Sequence, residues 1–393
     1  MNELQAVQSE LERSGLDGWL VYDFRGSNAV ARPLLRALLG ERLGSRRVFL
    51  AVPSSGTPVL LAHAIEAGTL SGARGVETRV YASSESLDAE LRRALAGMRR
   101  VAMEYSPRGD NPYVGTVDAG TVERVRSLGV EVVSSGDVAQ TLQLWDERRL
   151  DQHLEAVEVV MRAKDAAFGF MGEALSLGRS VTESSVQRVI LDVFDQAGCV
   201  YDHAPNVSFG AHAGDPHHSP GPGEGDRDLR EGDVVLVDLW CRLPEEGAPY
   251  ADVTWMGHAG APSERVLRAF EAVKAARDAA FVAIADAYAE GRWPTGAEAD
   301  RAARGVLTAA GYAEQFTHRT GHSLGSDSPH GLAAHLDSFE TLDERLLRPG
   351  LGFTIEPGVY FPDFGVRCEM NVFLDEEGPR ATTDLQGDLE VLP

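Results

Sequence analysis

The chain repeats itself at long range. Residues 161–198, beginning MRAKDAAFGFMGEAL, align without a gap to residues 274–311, beginning KAARDAAFVAIADAY. The constant offset of 113 pairs Asp165 with Asp278, Phe168 with Phe281, Gly178 with Gly291, Thr182 with Thr295, Arg188 with Arg301 and Gly198 with Gly311. It also carries Pro216-His217 onto Pro329-His330; after five extra residues in the second copy, Gly232 falls on Gly350 and Asp238 on Glu356. A period this long is not that of a solenoid. Helix-period apolar patterns followed by strand-like runs, stated twice, predict two half-domains of two helices and a small sheet each, related by a pseudo-two-fold.

Each copy drives an apolar strand into an acid. LREGDVVLVD ends on Asp238, and LRPGLGFTIE reaches Glu356. A second acid follows each: Asp252 after 14 residues, within YADVTW, and Glu369 after 13, within VRCEMN. Both spacings fit a hairpin with its acids side by side. Two hairpins facing each other across a pseudo-two-fold would bring four carboxylates to one point. Four bare carboxylates in a domain core are costly unless paired or bound to cations.

Imidazole is concentrated in the same half of the chain. Nine of the 11 histidines lie between His203 and His335. Three fall in HRTGHSLGSDSPHG, where His318 and His322 are four apart, but Gly321 and Gly325 favour an extended or loop segment over a helix. His217 is the repeat partner of His330. Carboxylates with one or two imidazoles suit divalent ions such as Mn²⁺, Co²⁺, Fe²⁺ and Zn²⁺. Carboxylates shared between two ions would make the site dinuclear.

The first part of the chain reads differently. Strand-like GWLVYDF, RRVFLAVP, PVLLAHA, ETRVYAS, RRVAMEY and VEVVSS alternate with the helical stretches VQSELERSG, SLDAELRRALAGM and VDAGTVERVRSLG. This pattern predicts an α/β domain on a mixed sheet over residues 1–147, with the repeat-bearing domain at 148–393. A net charge of −23 disfavours nucleic acid and anionic membrane surfaces as partners. Cys199, Cys241 and Cys368 are too scattered for a disulfide framework or thiolate zinc site. The acidic, polar N-terminus has no secretory pattern and no apolar run reaches membrane length, so a cytoplasmic location is expected.

Taken in order, VLVDLW, ADVT, HRTGHSLG, TIEPGVYF and VRCEMNV resemble the motifs of the pita-bread metallopeptidases, family M24, in the prolidase and aminopeptidase P subgroup. The likeness runs from about residue 150 to the end. The preceding domain is similar to the N-terminal domain of prolidase, aminopeptidase P and creatinase. The resemblance implies an α+β pita-bread catalytic domain and, by motif, the metal ligands Asp238, Asp252, His322, Glu356 and Glu369. Asp252 and Glu369 would bridge two divalent ions (Mn, Co or Zn), Glu356 would also move a proton, and His330 and His217 would act on the substrate. His318 and Arg367 would support them. The implied activity is hydrolysis of the Xaa-Pro bond in small proline-containing peptides, by a homodimer. Dipeptides are favoured over longer Xaa-Pro-Yaa peptides, on chain length and on an arginine cluster (Arg25, Arg32, Arg36, Arg42, Arg46, Arg47) able to supply a carboxylate partner. A metal-free binding module of the same fold would have lost several of the five ligand residues, and none is missing. Trp240 and Trp255 depart from the family pattern, which has Gly and Arg there, as do the longer LPEEGAPY loop and one extra residue between His322 and His330.

Overall fold

A computed structural model describes residues 3–40, 44–70, 75–221 and 225–393. The chain divides into two compact units, Met1–Gln143 and Leu144–Pro393. The division falls four residues earlier than the sequence pattern alone indicates. The reason is Trp145, whose ring stacks on Phe373 and whose N–H donates to the Gly350 carbonyl at 2.7 Å, both far along the second unit.

The first unit is built on one six-stranded sheet. Its strands are β1 (Gly18–Phe24), β2 (Arg47–Pro53), β3 (Val59–His63), β4 (Glu77–Tyr81), β5 (Arg100–Met103) and β6 (Glu131–Ser134), in spatial order β4-β3-β2-β1-β5-β6. The pairs β1/β2 and β2/β3 are antiparallel and the others parallel. Alternation along β1 sends Trp19 and Val21 into one apolar cluster and Leu20 and Tyr22 into the other, so both faces are covered. A helix at Arg32–Leu39 was hidden in the sequence reading; proline in its first turn and an apolar stripe account for it. Of the arginines named above, Arg42 lies outside the described residues.

In the second unit the sequence repeat becomes a structural one. Helices Glu147–Ser176 and Glu183–Ala197 recur as Glu264–Ala289 and Gly296–Ala309. Thr182 and Thr295 open the second helix of each pair with the same capping box, each hydroxyl accepting from the backbone N–H three residues on. The first half carries β7 (Asn206–Phe209), β8 (Val234–Cys241) and β9 (Ala251–Ala259). The second half carries β10 (Gly352–Ile355), β11 (Gly358–Tyr360), β12 (Gly365–Arg367), β13 (Met370–Asp375) and β14 (Gly378–Ala381). The last strand, β15 (Glu390–Leu392), returns to pair in parallel with β9. The sheets run β15-β9-β8-β7, β10-β13-β14 and β11-β12.

The echoed Leu-Arg-x-Gly has a backbone cause. Gly232 and Gly350 take nearly the same left-handed φ, +91° and +92°, in the turn that launches β8 and β10. Only glycine enters that region without a Cβ penalty.

Strand parity then aims the acids. Val235, Val237 and Leu239 of β8 join Ala251, Val253 and Trp255 of β9 in a cluster with the first helix pair. Asp238, Asp252 and Thr254 therefore stand on the opposite face, as does Met256. In the second half Phe353, Ile355, Met370, Val372 and Leu374 pack on the second helix pair, which leaves Thr354, Glu356, Glu369 and Asn371 on the other side.

Candidate metal centre

The two faces meet at the acids. Asp252, His322 and Glu369, all buried, each offer a ligand atom within 4.8 Å of the others. His322 Nε2 lies 3.6 Å from Asp252 Oδ2 and 3.2 Å from Glu356 Oε1. Asp238 joins through Thr254, whose hydroxyl lies 3.1 Å from Asp238 Oδ1 and 2.8 Å from Glu369 Oε2.

The acid pairs are arranged differently in the two halves. Ladder register continues Ile355↔Met370 to set Glu356 directly opposite Glu369, just beyond the paired residues. In the first half Asp238 faces Thr254 and Asp252 faces Trp240, so these two acids are diagonal neighbours. The side-by-side arrangement read from the sequence thus holds in register only for the second pair. The longer loop of the first hairpin goes with a register in which Asp252 falls two residues short of the position opposite Asp238.

Imidazole geometry follows from local backbone bonds. His322 sits on an extended segment alongside β10, where its carbonyl accepts from Thr354 N at 2.8 Å. Its Nδ1 is 3.1 Å from the Ser323 carbonyl, an acceptor only. Nδ1 therefore carries a proton and Nε2 faces the acids. Burial acts to lower the ring's pKa, but the hydrogen bond to Asp252 and the charges of Glu356 and Asp252 outweigh it and raise it. A cation would take the Nε2 lone pair in place of that second proton.

Arg367 sets the charge on the first-half side. Its Nη2 donates to Asp238 Oδ2 at 2.5 Å and its Nε to the Thr254 hydroxyl at 2.8 Å. Its Nη1 reaches the Tyr360 hydroxyl at 3.3 Å. That hydroxyl lies 2.9 Å from His318 Nε2, while His318 Nδ1 donates to the Arg319 carbonyl at 2.7 Å. The tautomer this fixes makes Tyr360 the donor to His318. Burial holds His318 down to about 4, which keeps it neutral.

The electrostatics show strained acids. Burial raises Asp252 to about 7 and, with its acidic neighbours, drives Glu369 well above the ordinary carboxyl range. Burial also raises Asp238, against the opposing pull of Arg367. Glu356 goes the other way: burial acts to raise it, but His322, Arg367, His318 and His330 outweigh that and bring it to about 2. Asp252 Oδ1 and Glu369 Oε1 are buried with no hydrogen-bond partner. Orphaned carboxylate oxygens in a dry site cost stability, and a divalent cation would satisfy both. The donor set of carboxylates and one imidazole fits such a cation.

His330 and His217 lie at the rim. The His330 ring packs on His322 with centroids 4.0 Å apart, and its Nδ1 accepts from Arg319 Nη2 at 3.2 Å. Its Nε2 therefore carries the proton. The His322 charge, then burial and Arg319, push its pKa far down, so it stays a neutral donor. His217 is exposed, on a turn held by the Asp215 carboxylate, and is close enough to His330 to act against its protonation.

Four residues outside the sequence reading position this centre: Thr254, Arg319, Tyr360 and Asn371. Two had a legible signal, since Thr254 and Asn371 each stand two residues beyond an acid on the same strand face. Of the two tryptophans that depart from the family pattern, only Trp240 shares the face of the acids. Trp255 points to the helices, with Lys164 Nζ 4.4 Å from its ring centroid.

The sequence profile of metallopeptidase family M24 matches residues 151–376, more than half of the chain. The chain belongs to metallopeptidase family M24. Among M24 relatives, it is 34% identical over 270 residues to the probable dipeptidase PepE of Mycobacterium tuberculosis (strain ATCC 25618 / H37Rv). That match covers 68% of this chain and 66% of the relative, just under two thirds of its length. The crystal structure of dipeptidase PepE from Mycobacterium ulcerans aligns with 100% of this chain and 97% of its own, at 28% identity and a TM-score of 0.68. A dipeptidase structure from Pyrococcus horikoshii aligns over 100% of both chains at 25% identity and a TM-score of 0.59. The α/β domain followed by a pita-bread domain is the fold of this M24 group.

Proposed function

We propose that this M24 chain is a dinuclear metal-dependent dipeptidase acting on the Xaa-Pro bond, with Asp238, Asp252, His322, Glu356 and Glu369 as its metal ligands. The observation that carries the reading is the pair of orphaned oxygens on Asp252 and Glu369, buried and shared between the two halves. The dipeptide preference is supported by relatives named as dipeptidases. The proline preference rests on the ordered motif set.

Divalent ions held there would polarise the scissile carbonyl and lower the pKa of the attacking water. The chain's own groups supply the rest. Glu356, ionised at neutral pH, accepts the proton of the water and returns it to the departing nitrogen. His330 offers its Nε2–H to the oxygen on which negative charge develops, with Arg319 holding the tautomer. Arg367 favours the ionised form of Asp238 and orients it, and Tyr360 and His318 brace Arg367 from behind. His217, on the exposed side, holds the substrate opposite His330.

The test is hydrolysis of a matched panel: Xaa-Pro, Xaa-Yaa and Xaa-Pro-Yaa peptides, with Mn²⁺, Co²⁺ or Zn²⁺. Xaa-Pro dipeptides should be cleaved fastest, and Glu356→Ala should abolish turnover. Faster cleavage of tripeptides would make the enzyme an aminopeptidase. Equal rates on Xaa-Pro and Xaa-Yaa would remove the proline preference.

A further inference from the structure

A second group of possible ligands lies outside the centre just described. Glu183, His212 and His218 each present a ligand atom within 4.8 Å of the others. Glu183 is the first residue of the helix Glu183–Ala197 and is fully buried. His212 Nδ1 lies 2.9 Å from Glu183 Oε1 and 3.0 Å from Oε2. His218 Nε2 lies 3.2 Å from the same Oε2. The two rings are 4.1 Å apart at 38° and turn a nitrogen each to one carboxylate oxygen.

We propose that Glu183, His212 and His218 form a second metal site, for one divalent ion of the zinc class, that clamps the turn bearing His217 to the start of the helix Glu183–Ala197. Two imidazole nitrogens and a carboxylate oxygen are the donor set such ions prefer. Ligand atoms in a tetrahedral site with bonds of about 2.0–2.1 Å lie roughly 3.3 Å apart, so the two contacts to Glu183 Oε2, 3.0 and 3.2 Å, need to open by only a few tenths of an ångström, and the ligand atoms of the two histidines lie within 4.8 Å of each other. The His212 side chain is 30% exposed, which gives the ion an entry path and leaves room for a water as a further ligand. Glu183 is already oriented by backbone N–H groups, Phe209 N to Oε1 at 2.8 Å and Arg227 N to Oε2 at 3.2 Å. On binding, each imidazole carries its ring proton on the nitrogen facing away from the ion.

The internal repeat supplies an independent argument. At the offset of 113, Glu183, His212 and His218 fall on Gly296, Gly325 and Gly331. All three positions of the second half lack a side chain. A Cβ at Gly296 would come 1.8 Å from the His335 carbonyl oxygen, and one at Gly325 2.6 Å from the Ser328 oxygen. The duplicated frame therefore closes on backbone in one half. In the other half the same space is filled by three converging ligand groups. This inference stands whether or not the chain cleaves Xaa-Pro dipeptides.

The experiment is metal stoichiometry by mass spectrometry after loading full-length protein with Zn²⁺ and dialysing. Wild type should retain one more equivalent per chain than His212→Asn, with the peptidase ions unchanged. A second background removes the peptidase ions through Asp252→Asn with Glu369→Gln. That protein should still hold one Zn²⁺, lost on adding His212→Asn or His218→Gln. Co²⁺ substitution into the same background should give a visible absorption band that His212→Asn abolishes. Equal Zn²⁺ content with and without His212 would overturn the proposal and leave the cluster a hydrogen-bonded one. If the double substitution does not fold, the comparison of wild type with His212→Asn decides alone, since His212 is partly exposed.

Discussion

Asn371 exchanges two hydrogen bonds with the backbone of Asp252, a residue 119 positions earlier. Asp252 N donates to its Oδ1 at 3.0 Å, and its Nδ2 donates to the Asp252 carbonyl at 2.5 Å. Gln386 does the same for Met256, at 2.8 and 2.6 Å. The two side-chain amides act as a surrogate strand along the edge of β9 before β15 takes over. They tie the half carrying Asp252 to the half carrying Glu369. Asn371→Ala leaves a buried N–H and a buried carbonyl unpaired, at a cost of roughly 1–3 kcal/mol each. Urea denaturation should show that loss, and the variant should retain less metal after dialysis. Unchanged stability and metal content would refute the staple.

Cation binding should release protons. Without ions Asp252 sits at about 7 and Glu369 is raised well above the ordinary range, both chiefly through burial, so the protonated form of each is favoured over that of a free carboxyl. An ion needs them ionised. Apparent affinity should therefore rise with pH up to and through 7. Calorimetry at pH 6.5 in two buffers of different ionisation enthalpy should read the released protons; identical heats would count against this.

The two tryptophans that depart from the family pattern should behave differently. Trp240 shares a strand face with Asp238, stands opposite Asp252, and donates from Nε1 to Asp202 Oδ1 at 2.7 Å. Trp240→Gly should change the ratio of kcat/KM between bulky and small dipeptides at least tenfold with unchanged metal content. Trp255→Phe, on the helix side, should move stability and leave the preference alone. The reverse pattern would show that the faces are misassigned.

Glu104 should make the first unit weaker as pH rises. It is fully buried and accepts from Trp19 Nε1, from Asn28 Nδ2 at 2.8 Å and from Ser135 Oγ at 3.1 Å. Burial raises its pKa from 4.5 to about 7 despite those donors. The folded state then binds more protons than the unfolded one between about 4.5 and about 7. Its contribution is complete below that window and lost as pH rises through it, an effect of about 3 kcal/mol. Denaturation of wild type and Glu104→Gln at pH 5 and pH 8 should show the difference between them shifting by that order. A constant difference would exclude it.

Much of the fold was legible because it is written in periods. The repeat gave the paired helices, and the apolar runs between turn residues gave the strands, β1 in full. The ordered motifs pointed to Asp238, Asp252, His322, Glu356 and Glu369, and the structure brings their carboxylates and imidazole together. Thr254, Arg319, Tyr360 and Asn371 were not read as functional, since each acts through a partner distant in sequence or through its backbone register.

The sequence by itself determined the duplication, the two launching glycines and which strand face each acid occupies. These depend on local backbone preference and on a two-residue period, and both are properties of short segments. Only the tertiary structure decided that Glu356 opposes Glu369 in register while Asp238 and Asp252 are diagonal, and that Glu183 meets two histidines. Each of those depends on how one segment packs against another, where desolvation and hydrogen-bond closure across long sequence separations outweigh local pattern.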